Sequence, residues 1–249
     1  MDKDIVPDLL KNIQQDFVFQ TSQSEKLKKA FELLSAKKAT YLDVNEFAVE
    51  SGEILSKVLN THITVDILPD GKMYYNIADR ILKDTMTRNY EMISDFAMDV
   101  QTDLNHETGL RLRAQQAPLN QDRINGIVDR VSNEDDFEKI KWILDEPIVT
   151  FSQSIVDDTI KINATFHSKS GLKPTITRRV VGKACKWCRS LEGSYDYFEA
   201  PDDIYRRHER CRCTVDYSPD GSKRQNVWSK AWTDQKRNEK IEQRKKMNL

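Results

Sequence analysis

The sequence predicts an α+β protein: an elongated, mainly α-helical N-terminal body and a small C-terminal β module clamped by zinc. Three observations carry that expectation. Apolar residues recur at helical spacing through roughly the first two-thirds of the 249 residues. Short β-type runs replace that period beyond Gly171 and Pro174. All four cysteines then fall between Cys185 and Cys213, with His208 among them. The divisions are 1–170 for the helical body, 171–221 for the cysteine-rich module and 222–249 for a basic tail.

In chain order, Asp43 followed by Glu46 reads as a capping-box-like start, after which Phe47, Ile54, Leu55 and Val58 share one helix face. In the run ITVDILPDGKMYY, Pro69, Asp70 and Gly71 suggest the turn of a short hairpin. Leu82, Met86, Tyr90, Ile93, Ala97, Val100 and Leu104 alternate by fours and threes, which predicts one long helix. Gly109 and Pro118 interrupt that period and mark a loop or crossover. Ile124, Ile127, Val128 and Val131 predict a shorter helix, and Ser132 with Asp135 a cap for the next. Pro147 should end or kink that helix before Phe151, Ile155, Thr159, Ile162 and Phe166 resume the stripe. At this spacing the Met, Tyr and Phe side chains are read as core.

Composition narrows the function. Apolar residues make up 38% and charged residues 32%, a balance suited to slender helices with much exposed surface. A formal net charge of -1 argues against coating nucleic acid along the whole chain. The tail is an exception, because Lys223, Arg224, Lys230, Lys236, Arg237, Lys240, Arg244, Lys245 and Lys246 outnumber Asp234, Glu239 and Glu242. No stretch reaches the roughly 20 apolar residues of a membrane span, and the first residues lack the apolar core of a signal peptide. A cytosolic protein with reduced thiols is therefore expected.

Zinc takes four ligands at tetrahedral corners, and a Cys-x-x-Cys turn can direct two sulfurs at one ion. Cys185 and Cys188 have that spacing. Cys211 and Cys213, two apart at a strand start, should point the same way. His208 makes a fifth candidate. An all-thiolate site is the more regular arrangement, and three thiolates with His208 also fit; reduced core thiols or disulfides are the alternatives. Trp187 is placed to shield one side of the ion, and Leu191 and Gly193 suit a turn into the strand SYDYF.

Signals for catalysis are missing from the sequence. A redox Cys-x-x-Cys belongs in a βαβ context, which is lacking here, and the zinc deaminase pattern fails because Ala184 precedes Cys185 and His208 adjoins Glu209. His62, His106 and His167 stand alone and are read as surface or helix-end residues. Asp157 with Asp158, and Asp202 with Asp203, are read as solvated charge. The expectation is a protein without enzymatic activity.

The stretches RRVVGKACKWCRSLEGSYDY, RRHERCRCTVDYSPDG and QNVWSKAW resemble the minor head, or head morphogenesis, proteins of tailed bacteriophages, the MuF-like group. The likeness rests on Cys-x-x-Cys-x-x-Leu-x-Gly followed by His-x-x-Cys-Arg-Cys, here Cys185, Cys188, Leu191, Gly193, His208, Cys211, Arg212 and Cys213. It covers about residues 178 to 232, and Glu209 stands where many members have proline. The resemblance implies a virion component of few copies in the capsid interior, with the portal or major capsid protein as partner. It also implies a role in assembly and in packaging or passage of the DNA. The basic tail, with Trp228 and Trp232, reads either as a surface for phage DNA or for an acidic scaffold or portal face, or as a solvated end. The rival readings are a nucleic-acid-binding zinc protein of the host and a phage-associated toxin.

Overall fold

Eight helices and one small sheet are present among the described residues of a computed structural model, which are 4–182, 184–208 and 210–219. The helices are α1 (Val6–Gln23), α2 (Glu25–Ser35), α3 (Tyr41–His62), α4 (Tyr75–Glu107), α5 (Gln121–Ser132), the single turn α6 (Phe137–Ile140), α7 (Glu146–Lys169) and α8 (Lys186–Ser190). The strands are β1 (Thr175–Arg179), β2 (Gly193–Asp196) and β3 (Thr214–Ser218). The basic segment 222–249 lies outside the described residues. No described helix is long and apolar enough to cross a membrane.

The centre of the body is the packing of α3 on α7, with α1, α4 and α5 around them. Gly52 makes the close crossing possible, since a Cβ there would lie 2.7 Å from Ser152 Oγ and 3.0 Å from Val149 Cα. Tyr41, Phe47, Leu55, Ile81, Leu82, Ile93, Phe137 and Phe151 fill the core between the helices. A polar seam runs through it: Ser51 pairs with Asn89, and Asn89 Nδ2 donates to Ser152 Oγ at 2.7 Å. Each buried amide and hydroxyl of this seam finds a partner on another helix, which fixes the rotation of the three helices.

Helix starts follow their caps. Asp43 does take part in a capping box, but with Thr40, whose amide donates to Asp43 Oδ2 at 2.7 Å; α3 therefore begins at Tyr41. The long helix extends beyond its apolar stripe in both directions. The cap before Phe137 is Asp136, whose Oδ1 accepts from Glu138 N at 3.2 Å, rather than Ser132 with Asp135. Pro147 separates two helical segments from the first turn of α7, where no amide is needed.

The hairpin expected around Pro69 is not formed. Ile67 N and Leu68 N both donate to Thr64 O, and Pro69–Gly71 makes one 3-10 turn with Asp70 at φ 53°. Ile63, Leu68 and Met73 point inward at intervals of five, a spacing that a two-residue strand repeat cannot serve. The segment 109–120 is a loop, as Gly109 and Pro118 suggest, but it is firmly held. Asn163 on α7 accepts from Gln115 N and donates to Gln115 O, both at 2.8 Å, and Gln116 Nε2 donates to Ser94 Oγ at 3.0 Å.

The sheet is antiparallel in the order β2-β1-β3, with Ile176 opposite both Tyr195 and Tyr217, and Arg178 opposite Gly193 and Val215. Its inner face presents Ile176, Val215 and Tyr217 to α3 and α7, and these residues join the same apolar core as the helices. His167, in the last turn of α7, is wholly buried there, with Nδ1 against the Tyr217 hydroxyl. Burial pushes its pKa down, which favours the neutral ring.

Candidate metal centre

The cysteine window folds into two short pieces that face each other beside the sheet. In the first, Cys185 caps α8, and the turn of that helix brings Cys188 N to 3.4 Å from Cys185 Sγ. The Cys-x-x-Cys spacing thus does what it predicts: one helical turn sets both sulfurs on the same side. In the second piece, Cys211 N donates to His208 O at 3.1 Å, closing a turn in which Arg210 has φ 57°. From Cys211 through Tyr217 every second residue is buried, so Cys211 and Cys213 look inward as a strand start requires.

The two pieces meet at Cys188. His208 Nε2 lies 3.0 Å from Cys188 Sγ and 3.3 Å from Cys185 Sγ, and Cys188 Sγ lies 3.8 Å from Cys211 Sγ. Cys185, Cys188 and His208 form one triplet with ligand atoms mutually within 4.8 Å, and Cys188, Cys211 and Cys213 form another. All five predicted residues are therefore brought together, and their cluster can hold a metal ion. They converge as two triplets sharing Cys188. No disulfide links them; all four cysteines carry free thiols, three of them buried and Cys185 exposed.

The contacts made by Cys188 and His208 come close to the separations of tetrahedral coordination. Metal–sulfur bonds of about 2.3 Å at tetrahedral angles separate two sulfurs by about 3.8 Å, and a sulfur from a nitrogen by about 3.6 Å. The sulfur pair matches that separation, and the imidazole stands a few tenths of an ångström inside it.

The thiols are not equivalent. Hydrogen bonding from the Cys188 amide lowers the pKa of Cys185. Burial, together with Cys213 and Cys211, pushes the Cys188 thiol up to about 12. Burial also acts to raise Cys211, but hydrogen bonding from the Cys213 amide and the Arg207 charge outweigh it, and the net shift is downward. A group with the elevated pKa of Cys188, in contact with three candidate ligands, gains most from a cation that stabilises its thiolate.

Three arginines surround the cluster, of which the sequence singles out only Arg212, as part of the Cys-Arg-Cys motif. Arg207, next to His208, makes a two-pronged ion pair with Asp157 on α7, reaches Asn45 Oδ1 at 3.2 Å and donates to Cys213 O at 2.6 Å. Its side chain is 3% exposed and that of Asp157 is 2% exposed, so the expectation of solvated charge for Asp157 is corrected. The reason is long-range: the partner lies 50 residues away. Arg212, between Cys211 and Cys213, makes a second such pair with Glu146, at 3.0 and 2.9 Å. Arg178 enters from β1, with NH2 4.0 Å from Cys188 Sγ and 3.8 Å from Cys211 Sγ. A strand period of two would have placed Arg178 on the same face as Ile176, and that was the available signal.

Trp187 stands beside the cluster. Its ring meets His208 edge-on at 5.9 Å and has the Arg178 guanidinium over it at 5.6 Å. Leu191 is buried, and Gly193 begins β2 with φ 154°, where a Cβ would stand 3.1 Å from the Tyr195 ring. His62 and His106 sit in helix-end turns away from the cluster, His62 with Nε2 3.0 Å from Asp16 Oδ2. Comparison of the chain with models of protein families, with curated proteins and with solved structures finds no match.

Proposed function

We propose that this chain is a structural minor head protein of a tailed bacteriophage, acting at the portal and capsid interior during head assembly. In this reading zinc, held in the cysteine and histidine cluster, ties together the two cysteine-bearing segments of the C-terminal module, which Arg207 and Arg212 anchor to α7. The observation that supports it best is the meeting of Cys185, Cys188, His208, Cys211 and Cys213 at the seam between β1, α8 and the start of β3. These residues also carry the motif resemblance. When bound, zinc would supply a cross-link between two segments that share few aliphatic contacts of their own.

The chain's own residues make that cross-link consequential. Arg207 and Arg212 flank the ligands and bind Asp157 and Glu146, both on α7. Fixing the His208 to Cys213 turn therefore fixes its register on the central helix pair. Such a device serves rigidity, and a rigid outer surface is what a particle component docking on the portal needs.

Mass spectrometry of density-purified phage particles tests the reading. The chain should be found in heads at a small fraction of the major capsid protein, and a Cys185→Ser/Cys188→Ser variant should be depleted from them. A chain confined to the soluble cell fraction, with particles assembling and infecting normally without it, contradicts the reading.

A further inference from the structure

Arg178 poses a problem that the described protein groups do not solve. Its side chain is the largest fully buried one among the described residues, at 1% exposure, and a guanidinium stays charged at any pH a protein survives. A buried charge is tolerated when an opposite charge or a full set of acceptors meets it. Among the described residues Arg178 forms no ion pair with a carboxylate, and its Nε has no hydrogen-bond partner. One terminal nitrogen donates to Ile204 O. The other faces only the sulfurs of Cys188 and Cys211, and the Trp187 ring covers the plane.

Neutral thiols are weak acceptors and leave this charge uncompensated. Thiolates on a divalent ion do not. Three thiolates and a neutral imidazole around a divalent cation carry one net negative charge, and four thiolates carry two. The other buried cation near the sulfurs, Arg207, is already matched by Asp157. One positive charge is therefore left to balance the centre.

We infer that Arg178 is the built-in counter-ion of the centre, and that its single charge selects Cys185, Cys188, Cys211 and His208 as ligands, with Cys213 left as a neutral thiol. This rests on the metal reading above and goes beyond it by fixing the ligand set. His208 Nε2 touches both Cys185 and Cys188, and Cys211 joins that triplet through Cys188, at the tetrahedral sulfur separation. The guanidinium meets two of the three sulfurs so chosen. It acts through the ligands, as a positioning residue that lowers the cost of gathering thiolates in a buried place.

Zinc-edge X-ray absorption on the full chain loaded with one equivalent of zinc gives the first readout. The expected shell is three sulfurs at about 2.3 Å and one nitrogen at about 2.0 to 2.1 Å; four sulfurs overturn the inference. Zinc affinity, measured by competition with a chromogenic chelator, gives the second. Arg178→Met should weaken binding by about 10- to 100-fold, and Arg178→Lys should recover part of the loss. Unchanged or tighter binding by Arg178→Met overturns the counter-ion role. Should Arg178→Met fail to fold, Cys213→Ser decides: it is expected to keep one zinc with an unaltered absorption spectrum, while Cys211→Ser loses it. A wild-type chain that binds no zinc removes the metal reading itself, whereas a zinc-loaded chain with four sulfurs removes only this inference.

Discussion

Asp157 shows how much one residue's meaning depends on its distant partner. As half of an adjacent acidic pair it carries no signal beyond solvated charge; in the fold it neutralises Arg207 in the most enclosed ion pair of the molecule's described ion pairs. Burial works against the charged guanidinium, and the Asp157 carboxylate more than offsets it, raising the Arg207 pKa. Removing one partner of such a pair leaves the other charge buried and alone, which costs about 3 to 5 kcal/mol. Asp157→Ala is therefore expected to lose about that much in urea unfolding. The double variant Asp157→Leu/Arg207→Met should recover much of the loss, because apolar groups of similar volume need no counter-charge. Equal losses in the single and double variants would show that the pair is not the source of the effect.

At the scale of elements, the decisive contact is the crossing of α3 and α7, on which the sheet then rests. Gly52 sets its closeness, so Gly52→Ala should cost about 1 to 3 kcal/mol by overpacking, visible as a lower urea midpoint with an unchanged slope. A midpoint equal to wild type would mean the helices separate freely. Elements with strong periodicity were legible in the sequence: the stripe from Leu82 to Leu104 lies within α4, and the β-type runs TITRRVVG and CTVDY beyond Pro174 overlap β1 and β3. Elements that depend on local closure were not. The apolar flanks of the Pro69 turn suit a hairpin, but in the fold the amides of Ile67 and Leu68 close on Thr64 O and no strand forms there. Ligand types and spacing in the metal cluster were legible, since a helical turn and a strand alternation are local rules. The roles of Arg178, Arg207 and Arg212 depend on contacts between segments, which spacing does not encode.

In the whole molecule, the helical body supplies most of the apolar burial, and among the described residues the strands add Ile176, Val215 and Tyr217 to that shared core, with Tyr195 packed against it. Polar links add to this packing: the two arginine pairs to α7, the His167 contact with Tyr217, and, within the C-terminal module, the sulfur and imidazole cluster. The cluster is the one of these links that can take up a metal ion. The most direct measurement is the zinc content of the protein purified under reducing conditions without added metal, read beside its thermal unfolding in chelator. One zinc per chain, with a melting temperature that falls on chelation and returns when zinc is restored, is the predicted result. A metal-free protein that melts at the same temperature with and without chelator would contradict it.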